Sequence, residues 1–148
     1  MLFDALSTYS DGQVLTDSAR SSNTIDHVTP RASGFGSGEP LCVLIVLTEA
    51  ADDANADETY TVKVQTDDNE EFTTPTDLTP EMSIPRGSVA GSNFFLPIPQ
   101  GKPTERFSSL YFTLGGDSPS VTVKAALFPV SMISRNAQVL YPIGVEVA

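Results

Sequence analysis

The chain has 148 residues, a length typical of one domain that can bury a hydrophobic core without metal or disulfide support. Its 19 acidic and 8 basic residues give a formal net charge of −11, a sign that disfavours binding to the phosphates of nucleic acids. The single cysteine, Cys42, cannot form an internal disulfide, which is compatible with folding in a reducing cytoplasm.

The hydrophobic segments are too short for a membrane-spanning helix. The longest apolar run, residues 41–47, falls far below the ~20 residues that a spanning helix needs. The N-terminus carries no Lys or Arg before its apolar residues, so we expect no secretory signal. We therefore expect a soluble protein that does not contact membranes. Within the apolar run, we expect Cys42 to be a small buried side chain.

An N-terminal arm, residues 1–20, precedes a series of segments with the pattern of β-strands. The clearest is residues 59–66, where Tyr60, Val62 and Val64 alternate with polar residues and so predict a strand with one apolar face. The six predicted strands are residues 23–28, 41–48, 59–66, 93–98, 107–114 and 121–128. The predicted core residues on these strands are Leu44, Val46, Val62, Val64, Leu110, Phe112, Val121 and Val123.

The segments between these strands favour turns and loops over helices. The 11 prolines and 10 glycines leave little room for long helices. We interpret residues 50–58 as an acidic solvated loop and residues 78–84 as a covering loop. Because Pro97 and Pro99 cannot donate hydrogen bonds, the strand at 93–98 is expected at a sheet edge.

The sequence therefore predicts an all-β fold, an antiparallel β-sandwich of the jelly-roll type with apolar arms at both ends. We expect one domain over residues 1–148. Within it, residues 1–20 are the N-terminal arm, residues 21–128 the sandwich and residues 129–148 the C-terminal tail.

Residue types that would support catalysis are scarce. The only histidine is His27, and its neighbour Asp26 should point to the opposite face of a strand. We find neither a Gly-x-Ser-x-Gly motif nor a phosphate-binding glycine loop. One cysteine and one histidine are too few for a zinc site. We expect no enzyme activity, no catalytic residue, no metal and no cofactor.

Two binding functions stay open as alternatives. Acidic residues at 52–58 and 67–71 offer oxygen ligands for calcium, although neither stretch has the spacing of an EF-hand loop. A carbohydrate-binding sandwich would need exposed aromatic side chains. The chain has no Trp, so only its four tyrosines could serve: Tyr9, Tyr60, Tyr111 and Tyr141.

Both terminal segments are more apolar than the predicted sandwich requires. Such segments either pack on their own domain or cover a neighbouring molecule. The candidate residues for contact with a partner or with a second copy are Leu2, Phe3, Leu6, Leu140, Tyr141 and Ile143.

Seven short motifs stand in order along the chain: Ser-Asn-Thr-Ile-Asp at 22–26, Gly-Glu-Pro-Leu at 38–41, Gln-Thr-Asp-Asp at 65–68, Phe-Thr-Thr-Pro-Thr at 72–76, Leu-Pro-Ile-Pro at 96–99, Glu-Arg-Phe at 105–107 and Gly-Gly at 115–116. In their order and spacing they resemble the capsid cement (decoration) proteins of short-tailed bacteriophages. The resemblance covers roughly residues 2–128 and departs from the family at Phe107, where Tyr is expected, and in the tail from residue 129.

This resemblance implies a structural virion protein on the outer surface of the phage head, synthesised in the host cytoplasm. Its expected partners are the major capsid protein, whose neighbouring subunits it would clamp, and a second copy of itself in a homodimer at twofold positions. The alternative is a glycan-binding or host-adhesion module on the capsid surface.

Overall fold

A computed structural model describes residues 7–28, 30 and 40–131, and these residues form ten strands. No helix in the described residues is long and apolar enough to cross a membrane. The strands are β1 (Thr8–Leu15), β2 (Ala19–Arg20), β3 (Ile25–Asp26), β4 (Leu41–Glu49), β5 (Thr59–Asp67), β6 (Thr76–Asp77), β7 (Met82–Ile84), β8 (Asn93–Pro97), β9 (Phe107–Gly115) and β10 (Val121–Pro129).

The strands form two antiparallel sheets, which confirms the predicted β-sandwich. A four-stranded sheet has the order β1-β10-β4-β8. A six-stranded sheet has the order β2-β9-β5-β6, with β3 also paired to β9 and β7 to β5. β2 and β3 both pair with β9, and β6 and β7 both pair with β5. If each of these two pairs is counted as one strand, both sheets have four strands, and the strand order is that of a jelly roll.

The core lies between the sheets because apolar side chains on alternate residues of each central strand point inward. On β5 and β9, Val62 pairs with Phe112 and Val64 with Leu110, and all four are fully or almost fully buried. The inward side chains of β4 and β10 include Val43, Ile45, Leu47, Val121 and Val123. Six of the eight predicted core residues are therefore confirmed in this core.

Of the other two residues predicted to be buried, Leu44 is confirmed as buried, although outside the central core, and Val46 is corrected by the structure. They alternate with Val43 and Ile45 and so lie on the outer side of the four-stranded sheet. Leu44 is fully buried there, whereas Val46 is half-buried. In a strand whose two sides are both apolar, the sequence does not reveal which side faces the core.

The sandwich begins earlier in the chain than predicted. Residues 8–20, assigned to the N-terminal arm, include β1, which pairs with β10, and β2, which pairs with β9. β1 has register irregularities between Thr8 and Ser10 and between Asp11 and Gln13, and these break the alternation that marks a strand. β10 ends at Pro129, and residues 132–148 of the predicted tail lie outside the described residues.

The connections between the predicted strands contain two short strands that the sequence does not predict, β6 and β7. The three residues of β7 lie within the predicted covering loop and pair with β5. A strand of three residues is too short to show a period of two in the sequence. β8, with Pro97, is an edge strand as predicted. Residues 50–58 form a loop that packs on the β9–β10 turn, where a Cβ atom at Gly116 would lie only 2.5 Å from the carbonyl oxygen of Asp57.

Truncating Phe112 to Ala should destabilise the protein by ~3–5 kcal/mol, because it would leave a cavity at the centre of the core. This loss is a large part of the ~5–15 kcal/mol that stabilises a typical domain. Urea denaturation would measure it. The control is Thr113→Ala on the exposed side of the same strand, which should cost no more than about 0.5 kcal/mol. Equal losses in the two variants would contradict the assigned faces of β9.

Candidate partner-binding face

The outer side of the six-stranded sheet is polar. Its central strands place Lys63, Gln65, Ser109 and Tyr111 on this side, between the core residues of β5 and β9. Arg20 lies across it and donates hydrogen bonds to Gln65 (2.9 Å) and Ser109 (2.8 Å). A polar outer side is the usual arrangement for a sheet that has one face in water.

The outer side of the four-stranded sheet is apolar. We call this surface the apolar outer face and define it by Cys42, Leu44, Val46, Ala126 and Phe128. Leu44 and Ala126 are register partners on neighbouring strands, and both have 0% exposure. The seven-residue apolar run at 41–47 was the sequence signal for this face, because a strand with one wet side would alternate instead.

The border of this face is partly exposed. Phe95 of β8 is paired with Leu44 in register and is 44% exposed. Val130, which follows β10, is 43% exposed. Toward the other end of the sheet, Lys124 forms an ion pair of 3.4 Å with Asp11, so the apolar surface gives way to charge there.

The six residues predicted from sequence to bind a partner all lie outside the described residues: Leu2, Phe3, Leu6, Leu140, Tyr141 and Ile143. The described residues next to these segments are nevertheless placed. The carbonyl of Ser7 accepts a hydrogen bond from the amide of Leu127, and the amide of Val130 donates to Pro40. The described chain therefore begins and ends at one end of the four-stranded sheet, beside Phe128.

The basic side chains are engaged within the chain. Of the eight Lys and Arg residues, Arg31 and Arg135 lie outside the described residues, and the other six each contact a group of their own chain. The contacts are Arg20 with Gln65, Ser109, Phe72 and Tyr111, Lys63 with Asp77, Arg86 with Asp53, Lys102 with the carbonyls of Asp77 and Leu78, Arg106 with Asp26, and Lys124 with Asp11. Most carboxylates remain uncompensated, so the described surface is acidic and suits a basic or neutral partner.

The histidine side chain contacts a buried serine hydroxyl. His27 Nε2 lies 2.8 Å from Ser108 Oγ, which also lies 2.8 Å from the hydroxyl of Tyr9. Ser108 and Tyr9 are both 0% exposed, so this hydroxyl has no contact with solvent. Burial raises the pKa of Tyr9, which keeps the phenol neutral. The sequence could not reveal this contact because its partners are 81 and 99 residues apart.

Asp26 is held by Arg106 rather than by His27. The guanidinium Nε and Nη2 of Arg106 donate to the two carboxylate oxygens of Asp26 at 2.8 and 2.9 Å. These bonds, with a further one from the amide of Val28, lower the pKa of Asp26 to about 2. The pair joins β3 to the start of β9, where the amide of His27 donates to the carbonyl of Arg106.

The acidic stretches proposed for calcium serve largely to close their own loops. Carboxylate oxygens of Asp67, Asp68 and Glu105 lie within 4.8 Å of one another. Asp67 is fully buried and accepts hydrogen bonds from the amides of Asn69 (3.0 Å) and Thr74 (2.8 Å). Burial raises the pKa of Asp67, but these amide bonds together with hydrogen bonds from Asp68 outweigh burial and lower it.

In the other acidic stretch, the Glu58 carboxylate accepts hydrogen bonds from the amides of Asn55 (2.9 Å) and Asp57 (3.2 Å). Asp53 pairs with Arg86 at 2.9 Å. These side chains therefore fix the fold of the 50–58 loop.

The tyrosines do not form an exposed aromatic platform in the described part of the chain. Tyr9 and Tyr60 are buried in the core. Tyr111 is half-buried beneath the guanidinium of Arg20, which lies 5.2 Å from its ring centre. Tyr141 lies outside the described residues. The observation that best suits a polar ligand is instead an open depression of about 580 Å³ lined by Ser22, Asn23, Thr24 and Glu70.

The fold and the surface define the class of protein: a jelly-roll β-sandwich with a polar outer side on one sheet and an apolar outer side on the other. Residues 9–126 match the Bbp16 family, and this match covers more than half of the chain. The chain therefore belongs to the Bbp16 family. A search of curated proteins found no match to the sequence.

Replacing Arg106 with Gln should raise the pKa of Asp26 from about 2 toward the ~3.9 of an unperturbed Asp. Because the folded-state pKa is depressed, this ion pair stabilises the fold above pH ~4 and loses its effect as pH falls toward 2. An NMR titration of the Asp26 carboxyl carbon would measure the shift. Arg86→Gln removes the same charge from a different ion pair and should leave this titration unchanged. An unchanged midpoint in Arg106→Gln would refute the assigned cause.

Proposed function

We propose that the protein is a structural component of a phage head that binds the outer surface of the capsid and clamps neighbouring major capsid protein subunits. The observation that carries this proposal is the apolar outer face of the four-stranded sheet, because a sandwich that acts alone normally keeps its outer sides polar. Membership of the Bbp16 family supports it, since the family name suggests a phage-related protein.

The clamp acts by mass action. A protein that binds only the assembled lattice stabilises the lattice relative to its separated subunits. The proposed contact surface combines the exposed border of the apolar outer face, Phe95 and Val130, with the terminal residues predicted from sequence. Each large apolar side chain buried there contributes ~1.5–3 kcal/mol, and repetition over a symmetric shell multiplies a small interface.

The resemblance to cement proteins adds a homodimer at the twofold positions of the lattice to this proposal. A twofold dimer uses the same patch on both copies, which matches a symmetric site between capsomers. The acidic surface of the described residues would then face solvent, where like charge keeps heads from aggregating. In this position the protein contacts neither nucleic acid nor membrane.

A glycan-binding or host-adhesion role is the alternative. The depression bordered by Ser22, Asn23, Thr24 and Glu70 favours it, because hydroxyl, amide and carboxylate groups can hydrogen-bond to a sugar. The burial of Tyr9 and Tyr60 weighs against it, since a sugar ring usually stacks on exposed aromatic side chains.

Heads assembled without the protein should regain stability when the purified protein is added back. Replacing Phe95 with Asp should lower its occupancy on these heads at least tenfold, because a charge would then enter the proposed apolar contact. Deleting residues 1–6, which removes Leu2, Phe3 and Leu6, should do the same. Co-sedimentation with the heads measures occupancy, and thermal release of DNA measures their stability.

The control for this experiment is Val89→Asp. Val89 is 67% exposed in the β7–β8 connection, at the opposite end of the four-stranded sheet from Phe128. The Val89→Asp substitution introduces the same charge as Phe95→Asp at another exposed apolar residue, and it should leave the occupancy of the protein on the heads unchanged. If Phe95→Asp, the deletion and Val89→Asp all bind heads as the unaltered protein does, the proposed contact surface is wrong.

The proposal also includes the absence of a catalytic role. Replacing His27 with Ala removes the hydrogen bond to Ser108 and should cost about 0.5–1.5 kcal/mol of stability. Because Ser108 is buried, head binding should be unaltered. Denaturation and co-sedimentation check the two statements. Loss of a hydrolytic activity in a normally folded His27→Ala protein would overturn the structural assignment.

A further inference from the structure

The free edge of β8 is the longest unobstructed strand edge among the described residues. β8 stands last in the order of the four-stranded sheet and pairs, without a register irregularity, with β4 alone. At the other end of that sheet, β1 has two register irregularities, and the carbonyl of Tyr9 accepts a hydrogen bond from the amide of Asn23. The edges of the six-stranded sheet consist of strands of two or three residues. Irregular and short edge strands resist further pairing, and β8 is neither.

The register of β8 on β4 shows which of its backbone groups face away from the sheet. The amide of Leu47 donates to the carbonyl of Ser92, and the amide of Ile98 donates to the carbonyl of Leu41. Because hydrogen-bonded positions alternate in an antiparallel pair, the even-numbered residues of β8 face β4 and the odd-numbered ones face the free edge. We call the groups at this free edge the β8 edge: the amides of Asn93 and Phe95 and the carbonyls of Asn93, Phe95 and Pro97.

These edge groups have no hydrogen-bond partner in the part of the chain that the structure describes. The position of Pro97 agrees with this assignment, because a proline whose nitrogen faced β4 would remove a bond from the sheet. Phe95 is 44% exposed and Pro97 is exposed as well, so another chain can approach the edge.

The sequence around the β8 edge is free of charge. Residues 87–101 form the longest stretch of the chain without Asp, Glu, Lys, Arg or His, and all 19 acidic and 8 basic residues lie elsewhere. Charged side chains, lysine above all, commonly protect an exposed strand edge from pairing. Their absence here indicates an edge that pairs with another chain.

We propose that the β8 edge binds an extended, uncharged segment of a capsid subunit, which adds a fifth strand to the four-stranded sheet. The inference rests on the proposed function, because the phage head supplies the partner, and it adds the mode of recognition. In this mode the main-chain hydrogen bonds hold the segment, and the side chains beside them select it.

The side chains beside the edge define the chemistry of the partner. Phe95 lies on the outer side of the sheet, and Phe94 packs half-buried against the core. An added strand would cover both rings, so it needs apolar residues on both of its sides.

A second copy of the chain fits the edge less well than a segment of another protein. Pairing β8 with itself about Phe95 would place each Pro97, which has no amide hydrogen, opposite the carbonyl of Asn93. The acidic surface of the described residues also favours a basic or neutral partner over a second acidic chain.

The test removes edge amides without removing a hydrogen bond between β8 and β4. Asn93→Pro replaces an edge amide by a ring and should weaken binding to heads assembled without the protein by roughly tenfold or more. Asn93→Ala keeps the amide and should bind severalfold more tightly than Asn93→Pro. Phenyllactic acid in place of Phe95 keeps the side chain and turns the amide into an ester, which should weaken binding about two- to tenfold. Co-sedimentation over a series of protein concentrations measures the dissociation constants.

The matched control is Ala90→Pro, in the turn that precedes β8. The amide of Ser92 donates to the carbonyl of Val89, and Gly91 has a φ of 91°, so Ala90 occupies the second position of a type II turn. Proline is favoured at that position, and Ala90→Pro should fold and bind heads as the unaltered protein does. Circular dichroism of every variant checks that the β-sheet signal is retained.

Hydrogen exchange tests the same contact in the unaltered protein. In the free protein, the amides of Asn93 and Phe95 should exchange faster than those of Phe94 and Leu96, which face β4. On heads, exchange at Asn93 and Phe95 should slow by roughly tenfold or more, read by NMR after the reaction is quenched and the heads are dissolved.

The possible failures are distinguishable. If Asn93→Pro and the Phe95 ester bind heads as the unaltered protein does, or the two edge amides still exchange fast on heads, the inference is wrong and the proposed function stands. Failure of the unaltered protein to bind heads would overturn the proposed function, and the capsid subunit as partner with it. A dimer of the free protein that Asn93→Pro converts to a monomer would show that a second copy occupies the edge, which also contradicts the inference.

Discussion

The structure depends on the burial of both sides of β4. This strand lies inside the four-stranded sheet between β10 and β8, and its side chains alternate between two apolar environments. Val43, Ile45 and Leu47 enter the sandwich core, while Cys42 and Leu44 belong to the apolar outer face. Full burial of a large apolar side chain contributes ~1.5–3 kcal/mol, so each side of the strand supplies a substantial driving force. The stability of the sandwich therefore depends on the burial of both sides of β4.

Several buried polar groups near this apolar core are hydrogen-bonded within the chain. Ser108 is fully buried on β9, and the hydroxyl of Tyr9 and the ring of His27 satisfy its hydroxyl group. An unpaired hydroxyl at this depth would cost ~1–3 kcal/mol, about twice the ~0.5–1.5 kcal/mol that a typical hydrogen bond contributes. At the ends of the sheets, carboxylates such as Asp67 and Glu58 accept backbone amides and close the loops. His27, Asp67 and Glu58, which the sequence analysis considered for catalysis or metal binding, therefore stabilise the fold through these hydrogen bonds.

Local patterns allowed much of the fold to be predicted from sequence. Alternation identified β5, β9 and β10, and prolines correctly placed β8 at an edge. The misses have separate physical causes. β1 is irregular in register, β7 has three residues, and the uniform apolar run of β4 does not show which of its sides faces inward. Each of these features is decided by pairing with distant strands rather than by local preference.

The candidate site was less predictable, because it is a property of the sheet rather than of one segment. The apolar outer face combines residues of β4 and β10, which are far apart in sequence, and its border includes Phe95 of a third strand. The terminal residues singled out for their apolar character are outside the described residues. The structure shows only that the described residues next to them, Ser7 and Val130, lie at the same end of the four-stranded sheet.

The difference between the two outer sides gives the sandwich a defined orientation toward any partner. The polar side carries Arg20, Lys63 and Gln65 in contacts with their own chain, so exchanging water for a partner there would gain little. The other side ends in a border where Phe95 and Val130 are still exposed to water. Burying that border releases water from apolar surface without breaking an internal ion pair. A partner that binds by burying apolar surface would therefore gain more at the four-stranded sheet than at the polar side of the six-stranded sheet, and this difference is the basis of the contact that we propose.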